Sequence, residues 1–199
     1  MTRIDAPQLN TLQITLFNQI DFDTQRLAQF INRTPKLGKC DEVHVKISDW
    51  SVHVLFGTLE ISIHSREPDR GFSFVAQACN SSFPSTVEDL YIEHPYLQLF
   101  WHDYAIDNTL WLQVLLPFTA VKNLYLCREF GPGITAALQE LVGARITEVL
   151  PGLQNIFVES LQPSGTFQEN IGQFVASRQL SDHPSTISDW DRGRGLDND

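Results

Sequence analysis

The sequence predicts an α/β solenoid: one mainly parallel sheet, helices packed on one of its faces, and a β-meander inserted near residues 43–63. Three observations predict it. A short apolar phrase, Φ-x-x-Φ-x-Φ with Φ apolar, returns at nearly constant spacing. Apolar residues at helical spacing lie between its copies. One interval is half as long as the others and alternates with period two. The phrase reads Leu9-Leu12-Ile14, Cys40-Val43-Val45, Phe56-Leu59-Ile61, Val87-Leu90-Ile92, Val121-Leu124-Leu126 and Leu153-Ile156-Val158. Its central members stand at 12, 43, 59, 90, 124 and 156, in steps of 31, 16, 31, 34 and 32 residues. A period in this range belongs to arrays with one strand and one helix per unit. No unit buries its own apolar face there, and stacking makes the core.

Each phrase is a strand, and most are followed by a helix. After the first, Asp23-Thr24 caps a helix carrying Leu27, Phe30 and Ile31, which Pro35 ends. After the third, Phe72, Val75, Ala76 and Cys79 mark a helix closed by Ser81, Ser82 and Pro84. After the fourth, Asp107 or Asn108 caps Leu110, Trp111, Leu112, Val114 and Leu115, stopped at Pro117. After the fifth, Ile134, Ala137, Leu138 and Leu141 form a helical face, with Gly143 at its C-terminus. After the sixth, Thr166-x-x-Glu169 reads as a capping box, opening a helix with Phe167, Ile171, Phe174 and Val175.

The 16-residue step leaves no room for a helix. Val43, Val45 and Ile47, then Val52, Val54 and Phe56, then Leu59, Ile61 and Ile63 alternate with period two, so this stretch is three strands with a turn at Ser48-Asp49. Two reversals bring the third strand parallel to the first, and the direction of the array survives. Residues 1–180 form one domain. Residues 181–199 hold few large apolar groups (Ile187, Trp190, Leu196) and are expected to be a mobile acidic tail.

The 199 residues are 42% apolar and 19% charged, a globular composition with enough chain for a sizeable core. The net charge of −10 argues against nucleic acid and against anionic membrane surfaces, because both bind through cationic side chains. Cys40, Cys79 and Cys127 form no CxxC pair, and an odd count of three points to a reducing compartment. Residues 1–7 carry no apolar signal segment and the run 114–121 is broken by Pro117, so an intracellular place, cytoplasmic or nuclear, is expected. The sequons at Asn32 and Asn80 are then chance matches.

Several stretches carry a resemblance. They are Ile4-Asp5-Ala6-Pro7-Gln8-Leu9, Phe17-Asn18-Gln19-Ile20-Asp21-Phe22, Phe30-Ile31-Asn32-Arg33-Thr34, Pro117-Phe118-Thr119-Ala120-Val121-Lys122-Asn123-Leu124-Tyr125-Leu126, Ala137-Leu138-Gln139-Glu140-Leu141-Val142 and Thr147-Glu148-Val149-Leu150-Pro151. They resemble the C-terminal part of basidiomycete F-box proteins with degenerate leucine-rich repeats, over nearly the whole chain. The resemblance implies a leucine-rich-repeat-like fold and a receptor that holds a protein target on its repeat surface and joins a ubiquitin ligase through an N-terminal F-box. The F-box itself is not read in this sequence, which enters its first repeat by Leu9. The Asn or Cys ladder of regular repeats is also missing: Phe17, Ser48 and Pro95 stand three places after Ile14, Val45 and Ile92.

No G-x-S-x-G, P-loop, G-x-G-x-x-G or H-E-x-x-H occurs, and neither a cofactor nor a metal is implied. Cys40 and His44 are the nearest pair of soft ligands, but on a strand they share a face without converging, and they read as an apolar strand start with an exposed His. His94, His102 and Asp103 read as a solvated loop without a nucleophile, and Gly131-Pro132-Gly133 as a turn leading into a helix.

One surface pattern rises above these. The residue between the last two apolar positions of the phrase points away from the core, giving the row Gln13, His44, Glu60, Tyr91, Tyr125, Phe157. Two places on lie Thr15, Lys46, Ser62, Glu93, Cys127 and Glu159. The candidate protein-binding residues are therefore Tyr91, Tyr125 and Phe157, expected as an exposed ladder of rings, with Glu93 and Glu159 at its rim. The same row also suits a ladder that only stiffens the sheet. The function expected is non-catalytic binding of an unidentified protein, with a ubiquitin-ligase adaptor engaged only through an upstream F-box. The rival is a stand-alone structural or interaction protein, or a truncated paralogue with no ubiquitin link. A hydrolase using His102 and Asp103 is a distant third.

Overall fold

The computed structural model describes residues 9–17, 23–34, 36–37, 40–48, 51–65, 68–80, 86–94, 106–128, 130–141, 143–160 and 166–191. In chain order the elements are β1 (Leu12–Phe17), α1 (Thr24–Asn32), β2 (Glu42–Ser48), β3 (Ser51–Phe56), β4 (Leu59–His64), α2 (Pro68–Asn80), β5 (Asp89–Glu93), α3 (Asn108–Leu115), β6 (Asn123–Leu126), α4 (Gly131–Gln139), a 3-10 turn (Gly143–Thr147), β7 (Asn155–Glu159), α5 (Thr166–Leu180) and β8 (Thr186–Trp190). All six phrases supply strands to one eight-stranded, mostly parallel sheet of order β1-β4-β3-β2-β5-β6-β7-β8.

Side-chain alternation fixes the register. Val43, Leu90, Leu124, Ile156 and Ile187 stand in one row across β2, β5, β6, β7 and β8, and Leu12 pairs with Leu59 across β1 and β4. Leu90, Leu124 and Ile156 have no exposed surface at all. A slip of one residue would turn every such group to the other face. The helices run in a single row, α1 on α2, α2 on α3, α3 on α4 and α4 on α5, over the face that carries these buried residues.

The meander is where sequence reading could not give the order. β2, β3 and β4 pair antiparallel in turn, so β4 lies on the far side of β3 from β2. The first phrase strand therefore pairs with β4 and not with β2. The two-residue turn 57–58 makes the second reversal, with Gly57 at φ +56° where a tight hairpin needs a left-handed residue.

Local signals account for three helix starts. The Asp23 carboxylate accepts from the Arg26 amide at 3.0 Å, and Asp107 accepts from the Thr109 amide at 2.7 Å. α4 has no side-chain cap and uses Pro132 in its first turn instead. Its glycines serve packing: a Cβ on Gly131 would sit 2.7 Å from Phe167 Cε2, and one on Gly133 would sit 3.0 Å from Trp111 Nε1. α5 starts at Thr166, but the capping-box role of that side chain lies outside the described residues, as do Pro35, Asp49, Ser81, Ser82 and Pro84.

The expected tail needs correction. Thr186–Trp190 is a strand, paired in parallel with β7 from Asn155↔Thr186 to Glu159↔Trp190. The cause is tertiary. Arg178 of α5 is fully buried and donates to Ser185 Oγ at 3.0 Å and to the carbonyls of Ile146, Pro151 and Leu153 at 3.3, 3.2 and 3.1 Å. Ser185 in turn donates to the Leu153 carbonyl at 2.9 Å, and the Thr186 amide donates to the Gln154 carbonyl at 2.7 Å. These bonds deliver the chain to the edge of β7. A signal did exist in the sequence, since Ile187 stands 31 residues after Ile156 and continues the period. Residues 192–199 lie outside the described set.

Candidate functional site

The open face of the sheet is built from the alternate residues of the same strands. Its central row reads Gln13, Glu60, Leu55, His44, Tyr91, Tyr125, Phe157, Ser188 from β1 to β8. In-register parallel strands hold like positions about 4.8 Å apart, close to the spacing of stacked rings. The rings of His44 and Tyr91 stack at 4.3 Å, Tyr91 and Tyr125 at 4.2 Å, and Tyr125 and Phe157 at 4.6 Å, all within 10° of parallel. His44 is thus a member of the stack, not the exposed strand histidine that its sequence suggests.

Two expectations about this face are corrected. The rings are only partly exposed, because the stacked faces cover one another. Trp190 also leans over them from β8, with ring centroids 5.9 Å from Tyr91 and 5.4 Å from Tyr125. Burial, then the charge of Tyr125 beside it, holds the Tyr91 hydroxyl above the ordinary phenol range. Burial raises Tyr125 as well, with Asp89 and Glu42 acting in the same direction against a hydrogen bond from Tyr91.

Glu93 is not a rim residue. It is 6% exposed, with His44 Nδ1 at 3.1 Å and Lys46 Nζ at 3.9 Å from its carboxylate. Cys127 also leaves the open face and is fully buried, because β6 ends at Leu126 and the chain turns toward α4. Glu159, the last residue of β7, is partly exposed and pairs with Trp190 of β8.

Two polar networks flank the stack, and neither was read from sequence. On one side Thr186 Oγ1 donates to Asn155 at 2.8 Å, Asn155 to Asn123 at 2.8 Å, and Asn123 to the Asp89 carboxylate at 2.6 Å. The signal for this ladder is an Asp or Asn at the same place in three phrases: Asp89, Asn123 and Asn155. Toward β1, His53 lies between Ser51 Oγ and Ser62 Oγ, each at 2.8 Å, and Ser62 donates to Glu60 at 3.2 Å. Burial, then the neighbouring His64, lowers the proton affinity of His53.

Among the described residues no three His, Cys, Asp or Glu side chains form a metal site. His94 is buried beside Phe130, while His102 and Asp103 lie outside the described residues. No described helix is long and apolar enough to cross a membrane. No protein-family model, curated protein or solved structure matches this chain.

Proposed function

We propose that this chain is a non-catalytic protein-binding domain, a leucine-rich-repeat-like solenoid that holds its partner on the open face of the sheet. One observation carries the reading: the stack His44–Tyr91–Tyr125–Phe157 stands on the face opposite the helix row. Aromatic side chains at a surface, bordered by polar groups, are favoured at interaction sites. Glu42, Asp89 and Glu159 border the ring stack and Glu60 stands further along its row, and with a net charge of −10 they favour a basic or mixed-charge partner. The narrower reading is the target-recognition part of an F-box receptor, linked to a ubiquitin ligase by an F-box upstream in the same transcript.

The test is affinity capture from the source cells with three variants. A genuine partner is lost with Tyr125→Ala and weakened by Glu159→Lys. It is kept by Leu180→Ala, which changes an exposed residue on the helix layer. Capture that survives the first two and fails with the third would place the site elsewhere. An in-frame F-box upstream of Met1 in the transcript supports the receptor reading, and its absence there favours the stand-alone one.

A further inference from the structure

We propose that β8 is a self-docked strap and that Trp190 closes the ring stack until the strap lifts. This rests on the stack being the binding face. β8 is the last strand of the sheet, with β7 as its only pairing partner among the described residues. Its side chains add little to the core: Ile187 is partly buried, whereas Thr186, Ser188 and Asp189 are exposed. The ladder with β7 joins all five of its residues to the sheet, from Thr186 to Trp190, and further side-chain anchors stand at its two ends. At the start, buried Ser185 is fixed by Arg178 and by the Leu153 carbonyl. At the far end, the Trp190 indole rests against Tyr91 and Tyr125 at 56° and 63° to their planes.

A strand held this way opens more easily than its neighbours. Local opening follows buried apolar contact, and edge elements sit at the low end of that scale. Ser185 is the natural pivot, since its hydrogen bonds are buried and the five residues beyond it are mostly exposed. With β8 docked, the indole occupies the approach to the two tyrosines, so a partner reaches the stack only in the lifted state. The proposal differs from a permanent cover in one measurable respect. The strap must open without the rest of the sheet.

Hydrogen exchange on the intact chain tests this directly. The amides of β8 are expected to exchange at least roughly tenfold faster than those of β7, as a separate low-stability unit. Exchange of β8 and β7 as one unit would overturn the proposal. A second measurement probes the contact itself. Trp190→Ala is expected to raise the rate at which tetranitromethane nitrates Tyr91 and Tyr125, followed by peptide mass spectrometry, with β7 protection unchanged. Unchanged nitration in a variant that retains β7 protection would show that the indole does not close the stack. If the variant fails to fold, the exchange result on the intact chain decides. Neither readout uses a partner, so their failure is distinct from a failure of partner capture.

Discussion

Arg178 donates its Nε proton to Ser185 Oγ at 3.0 Å, where the arginine is fully enclosed. The other guanidinium nitrogens reach the Ile146, Pro151 and Leu153 carbonyls, which ties the 3-10 turn, the approach to β7 and the approach to β8 to α5. Burial lowers the proton affinity of the guanidinium, which nonetheless keeps its charge at physiological pH. The first prediction follows. Arg178→Met should lose on the order of 2–5 kcal/mol in urea unfolding, because each orphaned buried acceptor costs about 1–3 kcal/mol. Arg178→Lys should rescue little, since an ammonium lacks the planar fork that reaches several acceptors at once. A Lys variant as stable as the original would refute the multi-point role.

Leu124 sits between Leu90 and Ile156 in the buried row, and none of the three has exposed surface. Leu124→Ala should cost about 2–5 kcal/mol, the range for deleting a core leucine in a site that cannot collapse. A loss under about 0.5 kcal/mol in denaturant unfolding would contradict the buried register, since such a loss is typical of surface positions.

Gly131 lies against Phe167, so a methyl group there meets an aromatic ring at 2.7 Å. Gly131→Ala should destabilise by about 1–3 kcal/mol through overpacking of α4 on α5. Adding Phe167→Leu should recover part of that loss, a coupling that a double-mutant cycle measures. Strictly additive losses would mean that the two residues do not press on each other.

Alkaline pH should weaken the fold. Burial pushes the Cys79 thiol from 9.0 up to about 12, and it also raises Cys40, Tyr91 and Tyr125. A folded-state value above the unfolded one means that the folded chain keeps protons the unfolded chain releases. That contribution is complete below the unfolded values of 9.0 for the thiols and 10.0 for the tyrosines, and is lost as pH rises through the folded values. The melting temperature should therefore fall progressively above about pH 9. Cys79→Ala combined with Tyr91→Phe should flatten the slope. A melting temperature constant up to about pH 11 would rule the linkage out.

How far the sequence reaches is visible at particular residues. Period two within a strand and a near-constant period between strands placed Leu90, Leu124 and Ile156 in the core and aligned Tyr91, Tyr125 and Phe157 on the other face. Those are phase relations, fixed locally by the pleat and propagated by register, so one chain of letters is enough to state them. Pairing order is different in kind. β1 lies beside β4 because the meander folds back on itself, and nothing in either strand's own residues distinguishes β4 from β2 as the neighbour. Glu93 looks like a rim carboxylate by phase, yet His44 and Lys46 come from another strand to enclose it. Trp190 looks like part of a tail until Arg178, buried on a helix, brings β8 to the sheet and sets the indole over two tyrosines. Which face each strand residue takes depends on neighbours along the chain, so it can be read from the letters. What lies across each face depends on contacts between segments far apart in sequence, each weak alone and fixed only when all are formed together in the folded chain.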